Sequence, residues 1–134
     1  MDVTFRADAG TPYGVWLRLR ATNNRKANDS VWVQFSDSLV GDSAQYRMNT
    51  TSGLLVNLAT TSSAGSLQDW GWQNGAYWLE QPTTVTFATS GMHTIRVQVR
   101  EDGVELDQIV LSPASYQAVA PGSVSGDSTI VTKQ

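Results

Sequence analysis

The 134-residue chain contains no cysteine and a single histidine, His93. Without cysteine it has neither disulfide bonds nor a thiolate nucleophile, and one histidine is too few for a histidine-based zinc site. A Ser-His-Asp centre would have to use His93, yet the sequence contains no Gly-x-Ser-x-Gly elbow. His93 falls on the apolar side of an alternating segment, which indicates a buried structural histidine. The sequence therefore predicts a protein that is not an enzyme.

Charged residues are also scarce, at 16% of the chain, with nine basic and twelve acidic side chains and a net charge of −3. Nucleic-acid binding requires clustered basic residues, which this composition does not offer. No apolar run is long enough to cross a membrane. We therefore expect neither nucleic acid nor a membrane as partner. The abundance of Ser, Thr, Asn, Gln and Gly is typical of extracellular β-domains, so we expect an extracellular, secreted location.

Paired carboxylates are the remaining route to catalysis, because glycoside hydrolysis uses two of them with different proton affinities. The candidate acids include Asp69, Glu105 and Asp107, together with Glu101 and Asp102 in a predicted exposed turn. An exposed turn lacks the burial that an acid catalyst needs. A hydrolase is therefore only the third hypothesis.

Alternating apolar and polar residues dominate the chain, and no segment keeps a helical period. The clearest alternation covers residues 13–21, 31–35, 93–100 and 105–111, with polar turns between the segments. Many short strands of this kind predict an all-β fold, an antiparallel β-sandwich. We assign this sandwich to residues 1–115. Residues 116–134 are rich in Ala, Pro, Gly and Ser, which predicts a loosely attached tail or linker with at most one short pairing near Thr129.

Residues 67–79 contain three of the five tryptophans, Trp70, Trp72 and Trp78. At their centre, Asn74-Gly75 is a strong signal for a type I′ hairpin, because both central residues of that turn need positive φ. Such a hairpin would place Trp72 opposite Tyr77, with Trp70 and Leu79 on the same face.

This aromatic cluster has the composition of a carbohydrate-binding site. Flat rings bind the apolar faces of pyranose sugars, while amides and carboxylates orient the hydroxyl groups. The predicted ligand-binding residues are Trp70, Trp72, Tyr77, Trp78, Asp69, Gln73 and Asn74. The alternative is that Trp72 and Tyr77 form a cross-strand pair that packs against the core.

A second candidate surface lies on the polar sides of the predicted strands. If those strands are neighbours, their arginines and tryptophans form one platform that suits an acidic polysaccharide. The alternative ligand-binding residues are Trp16, Arg18, Arg20, Trp32, Gln34 and Arg96. The competing interpretation is a solvated face on which the arginines pair with acidic residues.

Three stretches of the sequence resemble carbohydrate-binding modules. PYGVWLRLR at residues 12–20, GMHTIRVQ at 91–98 and DGVELDQIVL at 102–111 are similar to strands of galactose-binding-like jelly rolls. The similar families are carbohydrate-binding modules of families six and thirty-five and malectin-like domains. NDSVWVQF at residues 28–35 and WGWQ at 70–73 resemble modules of bacterial secreted proteins. The resemblance covers roughly residues 3–112.

The resemblance implies a lectin-like, non-catalytic module of a multidomain secreted bacterial protein, which binds polysaccharide or oligosaccharide. In those families an aspartate of the last strand, here Asp107, helps to hold a structural calcium together with paired glutamates of an opening strand. The glutamates have no counterpart here. A sandwich without that strand would leave an open edge, and strand edges seek partners. The alternative function is therefore a structural or adhesive module that forms homo-oligomers through this edge.

Overall fold

Ten β-strands and two short 3-10 turns make up the regular structure of residues 1–133, the part of the chain that this computed structural model describes. The strands are β1 (Asp2–Ala7), β2 (Tyr13–Ala21), β3 (Ser30–Phe35), β4 (Ser38–Val40), β5 (Ser43–Ala44), β6 (Leu54–Asn57), β7 (Trp70–Gln73), β8 (Thr84–Phe87), β9 (Gly91–Val99) and β10 (Val104–Ser112). The 3-10 turns, Thr22–Asn24 and Lys26–Asn28, join β2 to β3. Within the described residues, no helix has the length and apolar character that crossing a bilayer requires.

Two antiparallel sheets pack together, which confirms the predicted all-β sandwich. The first sheet has the strand order β1-β9-β3-β6. The second sheet has the order β10-β2-β8-β4-β5, and β7 also pairs with β2. β2 is the central strand of the second sheet: β10 runs along one of its edges, and β8 and β7 share the other.

Alternating apolar side chains fill the space between the sheets. On β2, Val15, Leu17 and Leu19 are completely buried. Every second residue of a strand lies on the same face, so Trp16 and Arg18, which lie between them, point away from this core. The first sheet contributes the corresponding residues of β3 and β9: Val31, Val33, Phe35, Ile95 and Val97. The alternation of the sequence predicts these inward residues, but it also places Val99 on the inner side of β9, whereas Val99 lies at the end of the strand and is 65% exposed.

The predicted hairpin at Asn74-Gly75 is wrong. β7 is a strand, but it pairs with β2, with Trp72 opposite Arg18, and residues 76–79 belong to no strand. Asn74 and Gly75 are not among the residues with positive φ, so they do not form a type I′ turn. The Gly75 carbonyl instead accepts a hydrogen bond from the Asn57 amide at the end of β6. Tertiary pairing with β2 therefore overrides the local turn signal.

The C-terminal segment, residues 113–133, contains no helix or strand but is not loosely attached. It crosses the outer side of β7 and β2, where the Trp72 amide donates to the Ser123 carbonyl at 3.0 Å and the Asp127 amide donates to the Trp70 carbonyl at 2.8 Å. Gly71 permits this approach, because a Cβ at that position would overlap the Val124 carbonyl. Composition predicts flexibility here, but the segment satisfies its backbone groups on β7.

Candidate functional site

The predicted ligand-binding residues do not lie on one surface. Trp72 is buried, and its Nε1 donates to Asp127 Oδ2 at 3.1 Å beneath the C-terminal segment. Gln73 and Asn74 are half-buried and hydrogen-bonded within the chain, since Gln73 Nε2 donates to the Leu58 carbonyl and Asn74 Nδ2 donates to Thr83 Oγ1. The structure therefore places these three side chains in packing and loop-fixing positions.

Tyr77 and Trp78 form the most exposed aromatic pair of the described residues. Each is 46% exposed, and both lie in the turn that follows β7. Their ring centroids are 4.7 Å apart, and the ring planes meet at 70°. The turn is held by a hydrogen bond from the Leu79 amide to the Ala76 carbonyl. Two adjacent, partly exposed rings in an edge-to-face arrangement offer a ligand apolar surface in two orientations.

Two cationic side chains flank this pair. Lys26 Nζ lies 5.2 Å from the Tyr77 ring centroid and 5.9 Å from that of Trp78. The Arg100 guanidinium carbon lies 6.0 Å from the Trp78 ring centroid. We call Lys26, Tyr77, Trp78 and Arg100 the aromatic patch. Sequence reasoning missed its cations, because Lys26 and Arg100 reach the rings only through tertiary packing.

A buried carboxylate holds Lys26, and a half-buried one holds Arg100. Asp29 is completely buried, and its Oδ2 accepts from Lys26 Nζ at 3.0 Å and from Asn57 Nδ2 at 3.2 Å. Arg100 Nη1 donates to Glu101 Oε1 and to Ser30 Oγ, each at 2.9 Å. Burial raises the pKa of Asp29, and the neighbouring Glu101 carboxylate adds to this rise. These hydrogen bonds hold Lys26 and Arg100 beside the two rings.

An open recess of about 340 Å³ lies at the other side of the loop that carries Lys26. Arg20 spans it, with Nη2 donating to Glu105 Oε2 at 2.6 Å and Nη1 donating to Asp69 Oδ1 at 3.3 Å. Its polar lining consists of Arg20, Thr22, Asn23, Asn24, Asp69 and Glu105. We call this the polar recess.

Three residues of the polar recess have left-handed backbone conformations. Their φ values are 56° for Asn23, 52° for Asn24 and 55° for Asp69. The Asp69 amide also donates to Asn24 Oδ1 at 3.1 Å. Backbone conformations of this kind cost energy and concentrate at ligand-binding sites. The Asn-rich composition of the loop is the only sequence signal for this feature.

Trp70 lies beside the polar recess, but arginine covers one side of its ring. The guanidinium carbons of Arg18 and Arg20 are 5.1 Å and 4.8 Å from its centroid. Of the predicted set, Asp69 thus lines the polar recess and Trp70 lies beside it, while Tyr77 and Trp78 belong to the aromatic patch.

The alternative platform is not one surface, because its residues divide between the two sheets. Trp16, Arg18 and Arg20 lie on β2, whereas Trp32, Gln34 and Arg96 lie on β3 and β9. β2 pairs with neither of those strands. The expectation of a single platform is therefore wrong.

The β2 part of that platform is largely buried under the C-terminal segment. Arg18 is 4% exposed and donates from Nε to Asp127 Oδ2 at 3.1 Å and from Nη2 to the Asp127 carbonyl at 2.6 Å. Trp16 Nε1 donates to the Tyr116 carbonyl at 2.6 Å. These side chains hold the segment in place.

The first sheet carries an open groove of about 320 Å³ on its outer face. Gln34 fixes the loop on one side of this groove, because its Nε2 donates to the carbonyls of Arg47, Thr50 and Ser52. The groove is lined by Trp32, Gln34, Asn49, Thr50, Thr51, Gly53, Arg96 and Gln98. We call this the sheet groove. It offers one half-buried indole beside amides and hydroxyl groups.

The surroundings of Asp107 do not fit a calcium site. Its Oδ2 accepts from Arg18 Nη1 at 2.5 Å, so the carboxylate is already paired with a cation. Among residues 1–133 there is no cluster of three or more His, Asp or Glu side chains suited to a metal ion. Calcium prefers six to eight oxygen ligands, which this neighbourhood does not bring together.

His93 is buried and hydrogen-bonded on both ring nitrogens. Nδ1 lies 2.8 Å from Asp37 Oδ1, and Nε2 lies 3.1 Å from the Thr89 carbonyl oxygen. Its ring also packs 4.2 Å from that of Phe87, centroid to centroid. Neither ring nitrogen bonds a serine hydroxyl in the described part of the chain, so the geometry is that of a structural residue.

Comparison with protein-family models, with curated proteins and with solved structures finds no match to this chain.

Proposed function

We propose that this protein is a non-catalytic carbohydrate-binding module whose sugar ligand binds on the aromatic patch. Binding would combine stacking on Trp78 and Tyr77 with hydrogen bonds from the polar groups beside them. As part of the same proposal, the domain has the galactose-binding-like jelly-roll topology. It would act outside the cell, within a larger secreted protein that it keeps near a polysaccharide.

The observation that carries this proposal is the exposure of the Tyr77–Trp78 pair. Two of the five tryptophans, Trp16 and Trp72, are buried. Trp78 is instead nearly half exposed, in a turn closed by the hydrogen bond from the Leu79 amide to the Ala76 carbonyl. Large apolar side chains held rigidly at the surface are typical of ligand contacts, since rigidity lowers the entropy lost on binding.

The polar recess supports the same proposal. Asn23 and Asn24 line the recess, and Lys26, in the same loop, belongs to the aromatic patch. An extended oligosaccharide could therefore stack on the patch and place further hydroxyl groups toward the recess. Amides donate and accept hydrogen bonds and carboxylates accept them, so both groups are suited to contacts with hydroxyl groups.

The test is affinity electrophoresis against plant, algal and microbial polysaccharides, with Trp78→Ala, Tyr77→Ala and Trp32→Ala run beside the unaltered protein. We expect Trp78→Ala to weaken retardation by at least about tenfold, which corresponds to about 1.4 kcal/mol. Trp32→Ala is the matched control, because it removes a partly exposed tryptophan in the sheet groove.

The outcomes separate three explanations. Loss of binding in Trp78→Ala with binding kept in Trp32→Ala supports the aromatic patch. Loss only in Trp32→Ala moves the ligand to the sheet groove and contradicts the proposed site. Absence of retardation on every polymer contradicts carbohydrate binding itself, and sugar release from a polymer would contradict the non-catalytic assignment.

A further inference from the structure

β1 is an edge strand whose outer side has no neighbour within residues 1–133. In the first sheet β1 pairs only with β9. Four of its six residues, Asp2, Val3, Thr4 and Arg6, are exposed. An unpaired strand edge presents a row of N–H and C=O groups that another strand can pair with.

The backbone groups that face outward belong to alternate residues of β1. Met1 and Val97 exchange two hydrogen bonds of 2.9 Å, so they form a hydrogen-bonded pair of the antiparallel ladder. Hydrogen-bonded and non-hydrogen-bonded pairs alternate along such a ladder. Val3 and Phe5 therefore bond to β9, while the amides and carbonyls of Asp2, Thr4 and Arg6 point to the free side.

The other edges of the sandwich are protected. β6 is covered by residues 75–81, because Leu55 and Asn57 donate to Gln81 and Gly75. β10 has a bulge between Leu106 and Gln108, and bulges disturb the pairing of an edge. β5 contains only two residues. β1, in contrast, contains no proline, no lysine and no bulge.

We propose that two copies of this chain associate through β1, as an antiparallel pair with its two-fold axis at Thr4. In this register Thr4 faces Thr4 of the second copy, and Asp2 faces Arg6 of the second copy. Both are hydrogen-bonded pairs, because the free backbone groups belong to these same residues. The two four-stranded sheets then join into one continuous sheet.

The side chains of β1 are self-complementary in this arrangement. Asp2 and Arg6 lie symmetrically about Thr4 and on the same face of the strand. The symmetry therefore creates two opposite-charge pairs and a central threonine pair, and both kinds of pair stabilise antiparallel sheets. Arg6 makes no ion pair in the described residues, whereas Asp2 already bonds Arg96 at 2.7 and 2.8 Å.

The opposite face of the strand also gains contacts. Val3, which is 40% exposed, would face Phe5 of the second copy. Phe5 packs on Phe87 at 5.5 Å between ring centroids, so it offers Val3 a fixed apolar surface. A single six-residue strand pair buries a small area, and we therefore expect a weak, concentration-dependent dimer.

The first test is sedimentation velocity of the full chain from micromolar to millimolar concentration. Arg6→Asp alone places two like-charged pairs across the axis, and so does Asp2→Arg alone. We expect each variant to weaken dimerisation by more than about tenfold. An equimolar mixture of the two variants should form a heterodimer. One copy then carries arginine at both positions and faces a copy that carries aspartate at both.

Controls keep this test independent of folding and of sugar binding. Arg25→Asp makes the same charge change in an exposed loop residue and should dimerise like the unaltered chain. Circular dichroism should be unchanged in all variants, and the readout needs no carbohydrate. A chain that stays monomeric at every concentration overturns the proposal, as does a dimer that neither single variant weakens.

A cross-linking measurement tests the register itself. The chain has no cysteine, so Thr4→Cys introduces a single thiol group per copy. Hydrogen-bonded antiparallel pairs have Cα atoms about 5.5 Å apart, which a disulfide can span. Mild oxidation should link Thr4→Cys copies much faster than Thr51→Cys copies, whose cysteine lies in an exposed loop. Equal rates for the two variants would contradict the axis at Thr4.

Discussion

Asp127 makes more hydrogen bonds to the sandwich than any other residue of the described C-terminal segment. Its carboxylate accepts hydrogen bonds from Arg18 Nε, Trp72 Nε1 and the amides of Ser123 and Thr129. Burial alone would raise the pKa of Asp127, but the backbone bond from Ser123 and the other hydrogen bonds lower it below its ordinary value. One carboxylate therefore fixes both a buried arginine and a buried indole.

We predict that Asp127→Ala lowers the free energy of unfolding by about 3 kcal/mol, because it leaves the buried Arg18 with fewer partners. Urea denaturation followed by tryptophan fluorescence measures this change. Asp107→Asn is the matched control, because Asp107 bonds the same guanidinium from a position that is 33% exposed. It should cost about 1 kcal/mol or less. Equal costs for the two variants would contradict the central role of Asp127.

At the scale of the element, β7 shows why a strong local signal failed. Asn74-Gly75 suggests a hairpin, but β2 offers β7 a free edge, and pairing there buries Trp72. Burying an indole stabilises far more than a favourable two-residue turn does. Sequence pattern reveals alternation along a strand but not the partner strand, because the partner is distant in the chain.

Two glycine substitutions, one within β7 and one just after it, distinguish the observed pairing of β7 with β2 from the predicted I′ hairpin. Gly71→Ala should lower the free energy of unfolding by about 2 kcal/mol, because its Cβ would meet the Val124 carbonyl of the C-terminal segment. Limited proteolysis should then cut within residues 113–133 more readily. Gly75→Ala should be nearly neutral, since its Cβ would lie 3.5 Å from Thr83 Cγ2, an ordinary contact. A large cost at Gly75 would instead support the I′ turn.

The predictable part of the fold is its strands. Val15, Leu17 and Leu19 alternate with polar residues, and the structure buries them as that pattern indicates. The division of the ligand candidates was not predictable. Trp72 and Trp78 lie in the same aromatic-rich stretch of the sequence. Trp72 is buried because β7 pairs with β2 and the C-terminal segment covers it, whereas Trp78 lies beyond β7 and is exposed.

At the scale of the whole molecule, Asp37 and His93 help to join the two sheets. Asp37 lies between β3 of the first sheet and β4 of the second, and it bonds His93 of β9. Burial alone would raise the pKa of Asp37, but hydrogen bonds from Ser36 and His93 lower it below its ordinary value. A carboxyl with a lowered pKa binds its proton less tightly in the folded protein than in the unfolded chain.

Stability should therefore fall in acid. The contribution of Asp37 is present above its unfolded pKa, about 3.9, and is lost as the pH falls through the lower folded value. Urea denaturation of the unaltered protein and of Asp37→Asn, from neutral pH downward, measures this contribution. The difference in free energy of unfolding between the two proteins should be largest near neutral pH and should disappear in acid. A gap that does not change with pH would contradict this linkage.

The anchoring of the C-terminal segment also determines how the protein responds to mechanical load. A pull on the chain beyond residue 131 first meets the bonds between Val131 and Gln108, then the Asp127 cluster. Gln108 belongs to β10, and Asp127 bonds Arg18 of β2 and Trp72 of β7. The segment therefore passes such a pull to three strands of the second sheet through side chains, and these side-chain bonds have to break before the segment can extend.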